Sequence, residues 1–242
     1  MPIIQNNGAT IYYEDHGKGF PILTFAPAGL LSTIKVWDSA MAPLKPVAEW
    51  AGDYRVIVMD QRNAGGQSKA PLTANDGWDS YTSDHLAVLD HLKIDRCHVF
   101  GQCIGGSFIF NLLKQQPQRV AAAIIAQPIG RMGPFNPQRP ARFNEWAASS
   151  LAGKPSDAVL DAFYKNLYEP GFVYCADRAF VSSLKLPSLL LAGNDDAHPR
   201  PISDECSKLL QNVEYILEWK NGDPLVAAQK RIKEFLAQHT PK

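Results

Sequence analysis

Short apolar runs alternate along this chain with longer stretches in which apolar residues recur at helical spacing. "FPILTFAP" (20–27), "YRVIVMD" (54–60), "RVAAAIIAQP" (119–128), "LPSLLLAGNDD" (186–196) and "VEYILEWK" (213–220) are of the first kind. Short runs with so few polar positions suit strands that a parallel sheet buries on both faces. Helical spacing appears in "YTSDHLAVLDHL" (81–92), with Thr82 or Ser83 as its cap, and in "PLVAAQKRIKEFLAQH" (224–239). "ATIYYEDHGKG" (9–19) alternates into a Gly-Lys-Gly turn before "FPILTFAP", and the two are expected to form a hairpin. "DRCHVFGQCIGGSFIFNLLKQQP" (95–117) passes from strand through a glycine turn into an apolar helix. Strands alternating with helices predict an α/β fold with a mostly parallel sheet.

The rhythm breaks between Gly130 and Ser183. Prolines at 134, 137 and 140 lead into the amphipathic stretches "ARFNEWAASSLAG" and "SDAVLDAFYKNLYEP". This segment, 130–183, is expected to form a small helical cap inserted between two strands of one domain spanning 1–242.

Composition narrows the function classes. Lys plus Arg is 24 and Asp plus Glu is 24, so the balanced charge gives no electrostatic case for nucleic acid or an acidic membrane. No stretch approaches the ~20 apolar residues of a membrane span. "MPIIQNNGAT" has neither the positive flank nor the apolar core of a signal peptide. Cys97, Cys103, Cys175 and Cys206 form no CxxC pair and no zinc spacing, so no metal is expected. Such cysteines suit a reducing cytoplasm without disulfides.

One cysteine has a special frame, Gly101-Gln102-Cys103-Ile104-Gly105, between a strand and a helix. A nucleophile in such a turn sits in strained backbone, and larger neighbours collide there. The helix that follows directs free N–H groups and a positive dipole end at the reacting atom. That field is expected to lower the Cys103 thiol below its free pKa of ~8.5.

These residues resemble the α/β-hydrolase superfamily. The resemblance extends over nearly the whole chain, through "IYYEDHGKG", "APAGLLSTIKVW", "DQRNAGGQS", the Cys103 elbow and "LAGNDDAHP". The elbow "GQCIGG" is similar to that of dienelactone hydrolases and polyhydroxyalkanoate synthases, which also use cysteine. The remainder looks more like the small-cap branch of esterases, lactonases, haloperoxidase-like enzymes and epoxide hydrolases. The resemblance implies an α/β-hydrolase fold with an eight-stranded sheet and a triad in the order nucleophile, acid, histidine.

The implied histidine belongs after the last strand, but "EWKNGDPLVAA" contains none, and Asp223 stands at its place. His198 in "GNDDAHP" is the expected replacement base, with Asp195 or Asp196 fixing its tautomer. Its alternative is simple packing beside Pro199. His85, next to Asp84, is a reserve; His98 is expected to pack in the sheet and His16 to be solvated. The oxyanion hole is expected from the backbone N–H of Ile104 and of Ala28, with Gly29 next, because Pro27 has none. Gln102, Trp37 and Gly29 are candidate substrate contacts, and a core role is equally open for Trp37. Arg62 is expected to tie down its loop, and the aromatics of 130–183 to form mostly that segment's own core.

The function implied is a cytoplasmic hydrolase of a small ester, thioester or lactone through a Cys103 acyl-enzyme, without cofactor. The partner is a small carbonyl substrate, and a homodimer is left open. Acyl transfer from the same thioester is an alternative, as is a silent fold of this family that binds a ligand.

Overall fold

A computed structural model describes residues 2–151 and 153–241. The strands are β1 (Ile3–Asn6), β2 (Ala9–Gly17), β3 (Pro21–Phe25), β4 (Arg55–Met59), β5 (Cys97–Gln102), β6 (Val120–Ala126), β7 (Ser188–Leu191) and β8 (Val213–Ile216). They form one sheet in the order β1-β2-β4-β3-β5-β6-β7-β8. β1 and β2 are antiparallel to each other, β2 is antiparallel to β4, and every pairing from β4 to β8 is parallel.

The N-terminal hairpin is not the expected one. β2 pairs with β1 and β4, and β4 separates it from β3. Burial explains the exchange. β3 is buried along nearly its whole length, so it goes to the middle of the sheet, whereas β2 alternates between buried and exposed positions and takes the flank. The true hairpin turns on Asn7 and Gly8, both at positive φ (47° and 80°), the Asn-Gly signal of a tight turn whose twist suits paired strands.

The helices are α1 (Pro46–Trp50), α2 (Trp78–His91), α3 (Gly105–Gln115), α4 (Ala141–Ser150), α5 (Asp157–Tyr168), α6 (Arg178–Ser183), α7 (Arg200–Leu209) and α8 (Gly222–His239). α2 begins ahead of Thr82 and Ser83: Gly77 is its cap, and Ser80 Oγ accepts from the Gly77 N–H at 3.4 Å. Successive strand residues point to opposite faces, so Leu23, Ile57 and Val99 pack with α2 and α3, while Ile22, Val56 and Phe100 pack with Trp50 and Ile232. Arg62 ties the loop after β4 to α2 as expected, with Nε and Nη2 on the Asp84 carboxylate at 2.7 and 2.9 Å and Nη1 on Asp76 at 3.1 Å.

Helices α4, α5 and α6 all lie between β6 and β7. Two indoles fasten this insertion to the main body. Trp146 Nε1 donates to the Asn63 carbonyl and Trp78 Nε1 to the Leu167 carbonyl, each at 2.8 Å. Phe143, Trp146 and Phe163 are buried against one another, the local core expected of these aromatics.

Candidate active site

Strand β5 delivers Cys103 to the carboxyl edge of the sheet. Its φ is 60°, left-handed backbone that an L residue adopts only at a cost. Its N–H donates to the Ala126 carbonyl of β6 at 2.9 Å, which fixes the turn against the neighbouring strand. Both framing glycines are required. A Cβ on Gly101 would lie 2.4 Å from the Gly105 carbonyl oxygen, and one on Gly105 would lie 2.6 Å from that of Phe25.

The loop after β3 closes over the sulfur. Ala28 and Gly29 are both left-handed, at φ 87° and 59°, and their N–H groups, with that of Ile104, draw the thiol pKa down. Ser32 Oγ holds this loop by donating to the Ala26 carbonyl at 2.7 Å. The thiol nevertheless departs from the expected direction. Burial pushes its pKa up and outweighs the three donors, and the Asp195 carboxylate pushes the same way. Both effects favour the neutral thiol.

His198 is placed by the loop after β7. Its Nδ1 lies 2.7 Å from Asp195 Oδ1, and the same carboxylate oxygen accepts its backbone N–H at 2.9 Å. Because a carboxylate only accepts, Nδ1 carries the proton and Nε2 keeps its lone pair. Asp195 Oδ2 pairs with Lys220 from the loop after β8. Burial alone would raise the Asp195 pKa, but Lys220 and His198 hold it down at about 2. For His198, burial lowers the pKa and Lys220 adds to this, partly offset by Asp195, so the neutral ring is favoured. Asp196 is exposed, and no hydrogen bond or ion pair involves its side chain among the described residues. Of the two acids, Asp195 is thus the one on the imidazole.

His198 Nε2 faces Gln127, whose Nε2 lies 3.3 Å away. Among the described residues no histidine nitrogen is hydrogen-bonded to the Cys103 sulfur. Asp223 is exposed in the first turn of α8, and the segment after β8 instead supplies Lys220 and the buried Trp219, whose indole donates to the Ala192 carbonyl at 2.7 Å.

The remaining candidates are dispersed. Trp37 is buried and stacked on Phe100, with ring centroids 5.3 Å apart, so it takes the core role. Gln102 is buried and its amide donates to the Met41 carbonyl at 2.7 Å. His85 bonds Gln61, and its neighbour Asp84 is engaged by Arg62 rather than orienting the ring. His98 is packed in the sheet against Phe20 and reaches Thr240. His16 lies in β2 and pairs with Glu14 at 2.9 Å. Three residues at the site were not singled out by sequence: Gln127, Lys220 and Tyr174. Gln127 had one signal, as the polar residue ending an apolar run just before Pro128. Tyr174 sits at φ 63° and packs on Tyr168, centroids 5.0 Å apart, and burial raises the pKa of both rings. Among the described residues, no group of three or more His, Cys, Asp and Glu side chains is placed to hold a metal, and no helix is long and apolar enough to cross a membrane.

Comparison with known proteins agrees with this fold. The family model described as alpha/beta hydrolase fold matches residues 27–147. A putative carbamate hydrolase, RutD, of Variovorax paradoxus is 29% identical over 115 residues, covering 48% of this chain and 41% of the relative. An uncharacterized carboxylesterase, nap, of Bacillus subtilis is 31% identical over 130 residues, covering 52% of this chain and 41% of the relative. The matches thus span less than half the length of both relatives. Among solved structures, the enol-lactonase from Burkholderia xenovorans superposes with a TM-score of 0.68 at 20% identity, covering 98% of this chain and all (100%) of the other. With the sheet order, the elbow between β5 and α3, and a family match over half its length, the chain belongs to the alpha/beta hydrolase fold family.

Proposed function

We propose that the chain is a hydrolase of small esters, thioesters or lactones that works through an acyl-enzyme on Cys103. The observation that carries this reading is the elbow: a cysteine held at φ 60° between two glycines that admit no Cβ, with the N–H groups of Ile104, Ala28 and Gly29 favouring negative charge on its sulfur. A structural cysteine needs neither the strain nor the donors. The carbamate hydrolase and carboxylesterase names of the two relatives support a substrate with an activated carbonyl.

In the first step the Cys103 S–H proton passes to His198 Nε2, and the sulfur attacks the carbonyl carbon. The oxygen gains charge against the three N–H groups. The tetrahedral species then collapses: the bond from carbon to the leaving oxygen or sulfur breaks, and the His198 proton goes to that leaving group. In the second step water gives a proton to His198 and attacks the thioester; the carbon–sulfur bond breaks and the sulfur regains its proton. Asp195 keeps Nδ1 protonated throughout, so that Nε2 alone exchanges. Residues 130–183 act as the cap that shapes the acyl pocket. All four cysteines are free, which suits a reducing cytoplasm.

A second reading, a silent fold that binds a carbonyl ligand, is favoured by the raised thiol pKa and by the lack of a histidine on the sulfur. One experiment separates the two. Incubation with p-nitrophenyl acetate, followed by intact mass, is expected to find one acetyl group on the wild type and none on Cys103→Ala. Turnover in that variant should drop by on the order of 10³-fold or more. Equal turnover without an adduct would reject the nucleophile.

A further inference from the structure

We propose that Gln127 is a positioning residue of this site: its side-chain amide, placed between the strand of the nucleophile and the His198 loop, donates to Nε2 and fixes the ring so that this lone pair faces β6. The inference goes beyond the catalytic set of Cys103, His198 and Asp195, and its role in turnover rests on that reading.

The backbone puts Gln127 where it can do this. β6 pairs with β5 so that Ala126 lies opposite Gln102, which makes Gln127 the neighbour of Cys103 across the sheet. Its own N–H donates to the Leu191 carbonyl of β7 at 2.7 Å, on the side from which His198 comes. Gln127 is left-handed, at φ 41°, so strained backbone recurs on adjacent strands at the carboxyl edge of the sheet. Pro128 packs near Gly106 of α3 and keeps the turn in place.

The side chain is buried, 4% exposed, so its polar atoms are not satisfied by bulk water. Its Nε2 lies 3.3 Å from His198 Nε2. With the Nδ1 proton on Asp195, the only group Nε2 can offer is its lone pair, and the amide N–H is the donor. Gln127 Oε1 is buried with no partner among the described residues. A buried carbonyl in that condition is costly.

A donor on Nε2 stabilises the neutral ring and opposes the imidazolium, since two N–H groups would then face each other. The charged groups acting on the ring are Asp195 from its own loop and Lys220 from the loop after β8, while Gln127 is the uncharged partner from β6. The donor therefore has a readout separable from either charge.

The test is an NMR titration of the His198 ring in wild type, Gln127→Met and Gln127→Glu, beside the pH dependence of deacylation. Met keeps length and burial but has no donor; the expected pKa rise is roughly 0.5–1 unit. Glu replaces the donor by an acceptor and should raise it by roughly 1–3 units. The acid limb of deacylation is expected to move with the ring in each variant. If His198 titrates in Gln127→Met where it does in wild type, the proposal is overturned, whatever the Glu variant or the thermal stability does. Should Gln127→Met not fold, Gln127→Leu, also without a donor and without a charge, takes its place. Failure of the Cys103 reading would appear separately, as the absence of an acyl adduct, and would leave the titration interpretable.

Discussion

His85 and His198 each present Nε2 to a glutamine side chain, yet the two regions around them differ in every other respect. His85 is wholly buried between Phe25 and Phe108, its Nε2 is 2.7 Å from Gln61 Oε1, and its Nδ1 has no partner among the described residues. Oε1 only accepts, so Nε2 carries the proton, and the free lone pair is sealed in apolar packing. Burial first, and the Arg62 charge second, press its pKa down to about 3. His198 has the opposite arrangement. A carboxylate holds Nδ1–H, and the Nε2 lone pair faces the sheet edge that carries Cys103. A histidine serves as a base when its outer nitrogen is anchored and its inner lone pair meets a polar partner that can be exchanged.

The largest expected effect follows from this contrast. His198→Ala should slow deacylation by about 10²-fold or more, the scale of general base catalysis. His85→Gln should leave the rate at neutral pH nearly unchanged, because no proton exchange is open to that ring. Single-turnover kinetics with p-nitrophenyl acetate separates the two steps. Equal losses in both variants would break the distinction between a core histidine and a site histidine.

How much of this was legible in the chain depends on the range of the interaction. The elbow was readable because Gly101, Cys103 and Gly105 meet within one turn. The sheet class was readable too, since continuous burial of β5 and β6 is written into their composition. The β2–β3 pairing was misjudged because adjacency in sequence suggested a hairpin, whereas the sheet order is decided by which strand has two buried faces. The thiol shift was misjudged for a similar reason. Helix N–H groups are local and visible, but the burial that overrides them is set by tertiary packing that no local stretch displays. Gln127 and Lys220 meet His198 and Asp195 only through strand neighbours, and no local motif marks them.

A smaller effect, on stability, should sharpen the same comparison. His85 has an unfolded-state pKa of about 6.5 and a folded value of about 3. Between those limits the unfolded chain binds a proton that the folded chain refuses. Stability is therefore fully present above about pH 6.5 and is lost as pH falls toward 3, by up to ~1.4 kcal/mol per pH unit for this one ring. His98, held down at about 4 chiefly by burial, adds to the loss in the same direction. Urea unfolding at pH 7, 6, 5 and 4 is expected to give a shallower decline for His85→Gln than for wild type. An identical slope would mean that the ring takes up its proton without unfolding.

The smallest effect concerns Lys220, which stands after β8, where relatives implied by the elbow resemblance carry a histidine. Its ammonium pairs with Asp195 Oδ2 and acts on His198 only through space, lowering the ring's pKa. Removing that charge in Lys220→Met should let the Asp195 pKa rise from about 2 and shift His198 upward as well. Both Asp195 and Lys220 are partly exposed, with side chains 45% and 20% accessible, so solvent screens the pair and the His198 shift should stay below about one unit. The acid limb of deacylation is expected to move up by that amount, with the plateau rate nearly unchanged. High salt should move the wild type toward the variant, because at 1 M the screening length falls to about 3 Å. A different outcome would redraw the site. If Lys220→Met lowers the plateau as far as His198→Ala does, then Lys220 itself handles the proton, and Asp195 serves the lysine rather than the imidazole.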